Sequence, residues 1–116
     1  MLAAVMFTDM VGYTAMMQED EQRAKSLLDR HRKVLEDLTL NHQGKIIQYF
    51  GDGTLTIFGS AVEAVLCAIN IQIELQKDPK VNLRIGIHSG DIVYDDDGIF
   101  GDCVNVASRI EASAIG

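Results

Sequence analysis

At 116 residues, with 47% hydrophobic side chains and a single proline, the chain can enclose one modest core and offers no linker where a second could begin. Its formal net charge of −7, with Asp95, Asp96 and Asp97 in one block, would repel a polyanion and argues against nucleic acid as a partner. No apolar run reaches the roughly 18 residues of a membrane span, and the apolar opening lacks the basic flank and cleavage-like site of a signal peptide, so a cytosolic domain without membrane contact is expected.

Residues 2–8 are apolar and suit a strand buried on both faces, ending at Asp9. Between Asp20 and His42 the positions Leu27, Leu28, Val34, Leu35 and Leu38 recur at three- and four-residue steps among charged residues, the pattern of an amphipathic helix, with Gly44 as its stop. Residues 45–50 and 54–58 are short β-rich runs divided by Gly51-Asp52-Gly53, and the Asp-Gly pair there predicts a hairpin. Ser60 can cap a second helix running to about Lys77, apolar nearly all round and therefore expected to be buried against a sheet, with Asp78-Pro79 ending it. Residues 83–94 form a third β-rich region, and Gly101 opens a last helical segment carrying Val104, Ala107, Ser108 and Ile110. Cys67 lies in an apolar helical stretch and Cys103 beside a turn, too few thiols for a disulfide framework and too isolated for a zinc cluster. The order strand, helix, strand, strand, helix, strand predicts an α+β domain of the split βαβ, ferredoxin-like kind, with helices on one face of a mostly antiparallel sheet.

Asp9 falls at the end of the first strand and Asp52 in the tip of the hairpin, and in such a sheet these two elements are neighbours. Converging carboxylates repel, so one takes up a proton or the pair captures a hard cation. The same residues also suit humbler roles: Asp9 as a cap on the turn from Met10 to Gly12, and Asp52 as a residue tolerant of hairpin geometry.

Four segments then point to a family. Phe7-Thr8-Asp9-Met10-Val11-Gly12-Tyr13-Thr14 resembles the metal-binding opening of class III adenylate and guanylate cyclase domains, and Tyr49-Phe50-Gly51-Asp52-Gly53 resembles their second metal segment. Leu83-Arg84-Ile85-Gly86-Ile87-His88-Ser89-Gly90 is similar to the family's central strand, and the stretch from Phe100 to Arg109 to its catalytic helix. All four occur in family order. The resemblance implies an enzyme that cyclises a nucleoside triphosphate, ATP foremost, to the 3′,5′-cyclic nucleotide and pyrophosphate for intracellular signalling, with two Mg²⁺ or Mn²⁺ ions. It further implies that Asp9, Asp52 and the backbone carbonyl of Met10 hold the metals, that Asn105 positions the ribose, and that Arg109 stabilises charge on the α-phosphate. Asn105 and Arg109 are four apart, one face of a helix. Family members assemble each site across a head-to-tail dimer, so a homodimer is expected.

The base-reading positions depart from the family. Gln48 stands where adenylate cyclases carry a Lys, and Gly98 where the partner residue is usually Asp or Thr; Asp97 beside it could substitute if the loop shifts by one. Gln48 can donate to or accept from a purine edge, whereas Gly98 offers only its backbone. The chain is further expected to stop short of the family's last strands and of a triphosphate-binding Lys there, leaving a weak or inactive fragment. Two rivals are a degenerate cyclase-like domain with a nucleotide-binding or regulatory dimerisation role, and a diguanylate cyclase, whose Gly-Gly before two acids is missing from the hairpin.

Overall fold

The structure, a computed structural model, describes residues 2–91, 93–95 and 98–100. In chain order it contains β1 (Leu2–Met10), α1 (Tyr13–Glu19), α2 (Glu21–Asn41), β2 (Lys45–Phe50), β3 (Gly53–Phe58), α3 (Ala61–Leu75), β4 (Leu83–Asp91), β5 (Val93–Asp95) and β6 (Gly98–Phe100). The principal sheet runs β2-β3-β1-β4, with every neighbouring pair antiparallel. This is the ferredoxin-like arrangement that the order of elements predicted. β5 and β6 form a separate hairpin.

Period-two alternation along β1 divides the core in two. Ala4, Met6 and Met10 face the helices and pack with Leu27, Leu35, Phe58, Ile71, Leu75 and Leu83. Ala3, Val5 and Phe7 face the other way with Leu55 and Ile57. Asp9, two residues beyond Phe7, shares the parity of this second face. A central β1, flanked by β3 and β4, explains why its sequence is an unbroken apolar run rather than an alternating one.

Local chemistry sets the helix boundaries. Asp20 caps α2 by accepting from the Arg23 amide at 3.1 Å, and Ser60 accepts from the Glu63 amide at 3.4 Å at the start of α3. The residue in left-handed conformation after α2 is Gln43, at φ 59, not Gly44. Gly44 is needed for a different reason: a Cβ there would lie 2.5 Å from the Phe58 ring, so it permits a close approach between chain and core.

α1 and β6 are additional to the predicted elements; β5 falls largely within the β-rich region expected over residues 83–94, and the helical segment expected from Gly101 lies outside the described residues. α1 has no fully buried residue; Tyr13 and Met16 pack against the core only in part, and a stripe confined to seven residues is a weak helical signal. α3 corrects an expectation. Only Ala64, Cys67, Ile71 and Leu75 of that helix are buried, whereas Val62, Val65, Leu66, Ile69 and Ile73 are exposed. At 100° per residue those five lie on the side opposite the buried four, so a helix that is apolar all round here packs through one stripe only.

Candidate active site

The first candidate residue sits where β1 ends. Gly12, at φ 72, lets the chain leave the strand and enter α1 with backbone torsions few other residues adopt, and the Val11 amide is tied to the Asn82 carbonyl at 2.9 Å. Asp52 sits in the two-residue connection between Phe50 and Gly53, which pair across the hairpin. The residue that supplies the positive φ is Gly51, at 61°, so the turn is placed one residue earlier than the Asp-Gly signal suggested.

The backbone brings the two aspartates together. Asp52 Oδ2 accepts the Met10 amide at 2.9 Å, which fastens the hairpin tip to the end of β1. A cleft of about 170 Å³ is lined by Asp9, Met10, Gly12, Tyr13, Thr14, Ala15, Asp52 and Arg84. Both carboxylates therefore border one small space, with Met10 contributing its backbone there.

Arg84, in β4, is a site residue that the sequence does not single out. Its Nε donates to Asp9 Oδ1 at 2.9 Å and its Nη2 to Oδ2 at 2.8 Å, a two-pronged contact that matches the planar guanidinium to the carboxylate. The two residues are direct partners in the β1–β4 register. The signal available in the sequence was an arginine between Leu83 and Ile85 on a strand with apolar alternation, a charge placed on the face away from the helices. Its partner, 75 residues distant, is not legible without the sheet.

Behind the cleft α2 grips both strands. His31 is fully buried, with Nε2 at 3.2 Å from Thr8 Oγ1, and Thr8 Oγ1 is 2.6 Å from Thr54 Oγ1. A neutral ring with its proton on Nε2 donates to Thr8, which donates to Thr54, leaving only the Nδ1 acceptor unpaired. Burial drives the His31 pKa down to about 4, Arg32 pushes the same way and Asp9 opposes them. Arg32 donates to the Gly51 carbonyl at 2.8 Å and lies 4.7 Å over the Tyr49 ring, while the Tyr49 hydroxyl donates to Glu36 at 2.7 Å. Sequence reasoning missed this brace: Arg32 and Glu36 read as an ordinary charged helix face, and the available signal was His31, a polar residue on the apolar stripe between Leu27 and Leu35.

The remaining predicted residues lie elsewhere. Gln48 is an exposed residue of β2 opposite Leu55, which in turn opposes Phe7. It is therefore on the Asp9 face of the sheet but does not line the cleft. Gly98 begins β6 and pairs with Asp95. Asp97, Asn105 and Arg109 lie outside the described residues.

The donor set can be tested against a metal. Carboxylate and backbone oxygens suit a hard dication such as Mg²⁺ or Mn²⁺, and Asp52 Oδ1 accepts no hydrogen bond among the described residues. Among those residues no group of three or more His, Cys, Asp or Glu converges, so a metal would take two carboxylates and complete its shell with backbone, water or ligand oxygens. The residues fit the ion on those terms.

The "Putative adenylate cyclase 3" of Rhizobium meliloti is 46% identical over 97% of this chain, which spans 21% of that protein. The serine/threonine-protein kinase pkn2 of Myxococcus xanthus is 33% identical over 92% of the chain and 14% of its own length, so the chain spans about a fifth or less of these relatives. An adenylate/guanylate cyclase/hydrolase from Silicibacter pomeroyi is similar in structure, with a TM-score of 0.82, 36% identity, and coverage of 99% of this chain and 71% of that one. The fold also matches that of an adenylate cyclase from Trypanosoma brucei at a TM-score of 0.90 and 20% identity, over 99% and 70% of the two chains. The model of the adenylate and guanylate cyclase catalytic domain matches residues 2–116, and the chain belongs to that family.

Proposed function

We propose that this chain carries the metal-binding half of a nucleotidyl cyclase site, in which a nucleoside triphosphate, ATP first among those to test, is converted to its 3′,5′-cyclic nucleotide and pyrophosphate. The observation that carries the reading is the hydrogen bond from the Met10 amide to Asp52, because it sets a second carboxylate at the cleft that already contains Asp9. Asp9 and Asp52, with the Met10 backbone, are the residues that would hold the two metals. Bound there, the ions supply a lowered pKa for the attacking ribose hydroxyl and countercharge for the phosphates.

In the reaction a bond forms between the ribose 3′-oxygen and the α-phosphorus while the bond from that phosphorus to the bridging oxygen breaks; the hydroxyl proton passes to water, and pyrophosphate carries away the electron pair. Arg84 adds a cation at the same cleft, suited to phosphate oxygens by its fork of donors. Asn105 and Arg109 remain our candidates for holding the ribose and the α-phosphate, and Gln48 and Gly98 for the base. A cleft of about 170 Å³ is smaller than the roughly 300 Å³ at which small-molecule pockets begin. It can take metal and phosphates, but the base and ribose need walls from elsewhere, which favours completion by a second protomer in a head-to-tail dimer.

The test gives the protein ATP or GTP with Mn²⁺ and compares Asp52→Asn. Asparagine keeps an oxygen to accept the Met10 amide, so the hairpin stays in place while the metal-binding charge is lost. Cyclic product from one nucleotide, reduced at least a hundredfold in the variant, is the expected result, in the range seen when a preorganised charge-stabilising group is removed. Equal turnover by the two proteins would refute the role of Asp52.

A further inference from the structure

We propose that Arg84 is an internal rival of the metal ion: its guanidinium holds Asp9, and a dication engages both aspartates only when Arg84 releases it. The inference rests on the reading that Asp9 and Asp52 are the metal ligands.

The two carboxylates are not equivalent. Asp52 gives one oxygen to a neutral amide at 2.9 Å and leaves Oδ1 with no donor among the described residues, so a cation can approach it without displacing any of those. Asp9 has a guanidinium N–H on each oxygen, at 2.9 and 2.8 Å, with the pair only 19% and 33% exposed for the Asp9 and Arg84 side chains. Magnesium or manganese bound to either Asp9 oxygen at about 2.1 Å would lie within several ångströms of a like charge, a repulsion that water at this partly exposed site screens in part. The carboxylate has lone pairs enough for both partners, but the charges oppose each other.

The β1–β4 register supports this view, because Asp9 and Arg84 face each other directly across the ladder. Their contact follows from strand alignment and does not depend on a flexible loop. The guanidinium has somewhere to go: it borders the same cleft, where the phosphate oxygens of a bound nucleotide offer it an equally good anion. Metal and nucleotide would then assist each other reciprocally, through the residue they exchange.

The experiment measures binding of Mn²⁺ alone to the full chain, from the loss of the free-ion electron paramagnetic resonance signal, for the original protein, Arg84→Gln, Arg84→Lys and the double variant Arg84→Gln/Asp9→Asn. Circular dichroism establishes that each is folded. Removing the rival charge should tighten Mn²⁺ binding by about tenfold, the scale of a partly exposed ion pair plus relieved repulsion. Arg84→Lys, which keeps the charge, should gain little, and Asp9→Asn in the double variant should cancel the gain. Should Arg84→Gln fail to fold, a gain in Arg84→Lys as large as tenfold overturns the proposal, and little or no gain there supports it. Mn²⁺ binding by the original protein that Arg84→Gln leaves unchanged or weakens refutes the rivalry alone. Absence of Mn²⁺ binding from every protein refutes the metal site with it.

Discussion

His31 makes the fold sensitive to acid in a way that can be worked out in advance. Its imidazole is fully buried and held down at about 4 against an ordinary 6.5, chiefly by burial. A group whose pKa is lower in the folded chain is protonated first in the unfolded chain, so stability is complete above pH 6.5 and is lost as pH falls toward 4. A difference of about 2.5 units at 1.36 kcal/mol each sets a ceiling of about 3 kcal/mol, of which about 2 kcal/mol is lost between pH 7 and pH 5. Urea unfolding followed by circular dichroism at both pH values measures the loss. Carboxylates contribute to the same range, so the comparison is with His31→Gln, which keeps a donor for Thr8 but has nothing to titrate. The variant's loss over that interval should be smaller by about 2 kcal/mol. Equal losses in the two proteins, or a ring resonance titrating near 6.5 in the folded state, would refute the reasoning.

Two further predictions concern packing. Gly44→Ala would put a Cβ 2.5 Å from the ring of Phe58, which is itself buried, and overpacking of this kind should cost about 1–3 kcal/mol in thermal or urea unfolding. Ile73→Lys replaces a side chain that is 57% exposed, and the midpoint of unfolding should correspond to a change within about 0.5 kcal/mol. A large loss there would mean that the outer side of α3 is covered in the protein.

The comparison between sequence and structure separates local from distant chemistry. Ser60 was readable as a helix cap, and the hairpin around Asp52 as a turn, because each is settled by residues within three positions; the Asp20 cap is equally local but was not read. The neighbourhood of Asp9 and Asp52 was also readable, but only by way of topology: the order of elements put β1 beside the hairpin, and the β1–β3 register realises it. Three features were not. Period counting made α3 apolar on every side, yet it cannot say how many sides find partners. Gly44 looked like a helix stop, when its requirement is the space beside Phe58. Arg84 carried no local mark of its contact with Asp9, since opposite charges so far apart in the chain meet only through strand pairing.

The β1–β4 alignment has one more consequence. A slip of one residue would turn Asp9 toward the helix layer, burying an ionised carboxylate among residues such as Leu27 and Leu83 while stranding Arg84 on the opposite side. Misaligned sheets are thus penalised by the same charges that border the cleft, and a correctly zipped sheet and the corner that holds Asp9 beside Asp52 arise together.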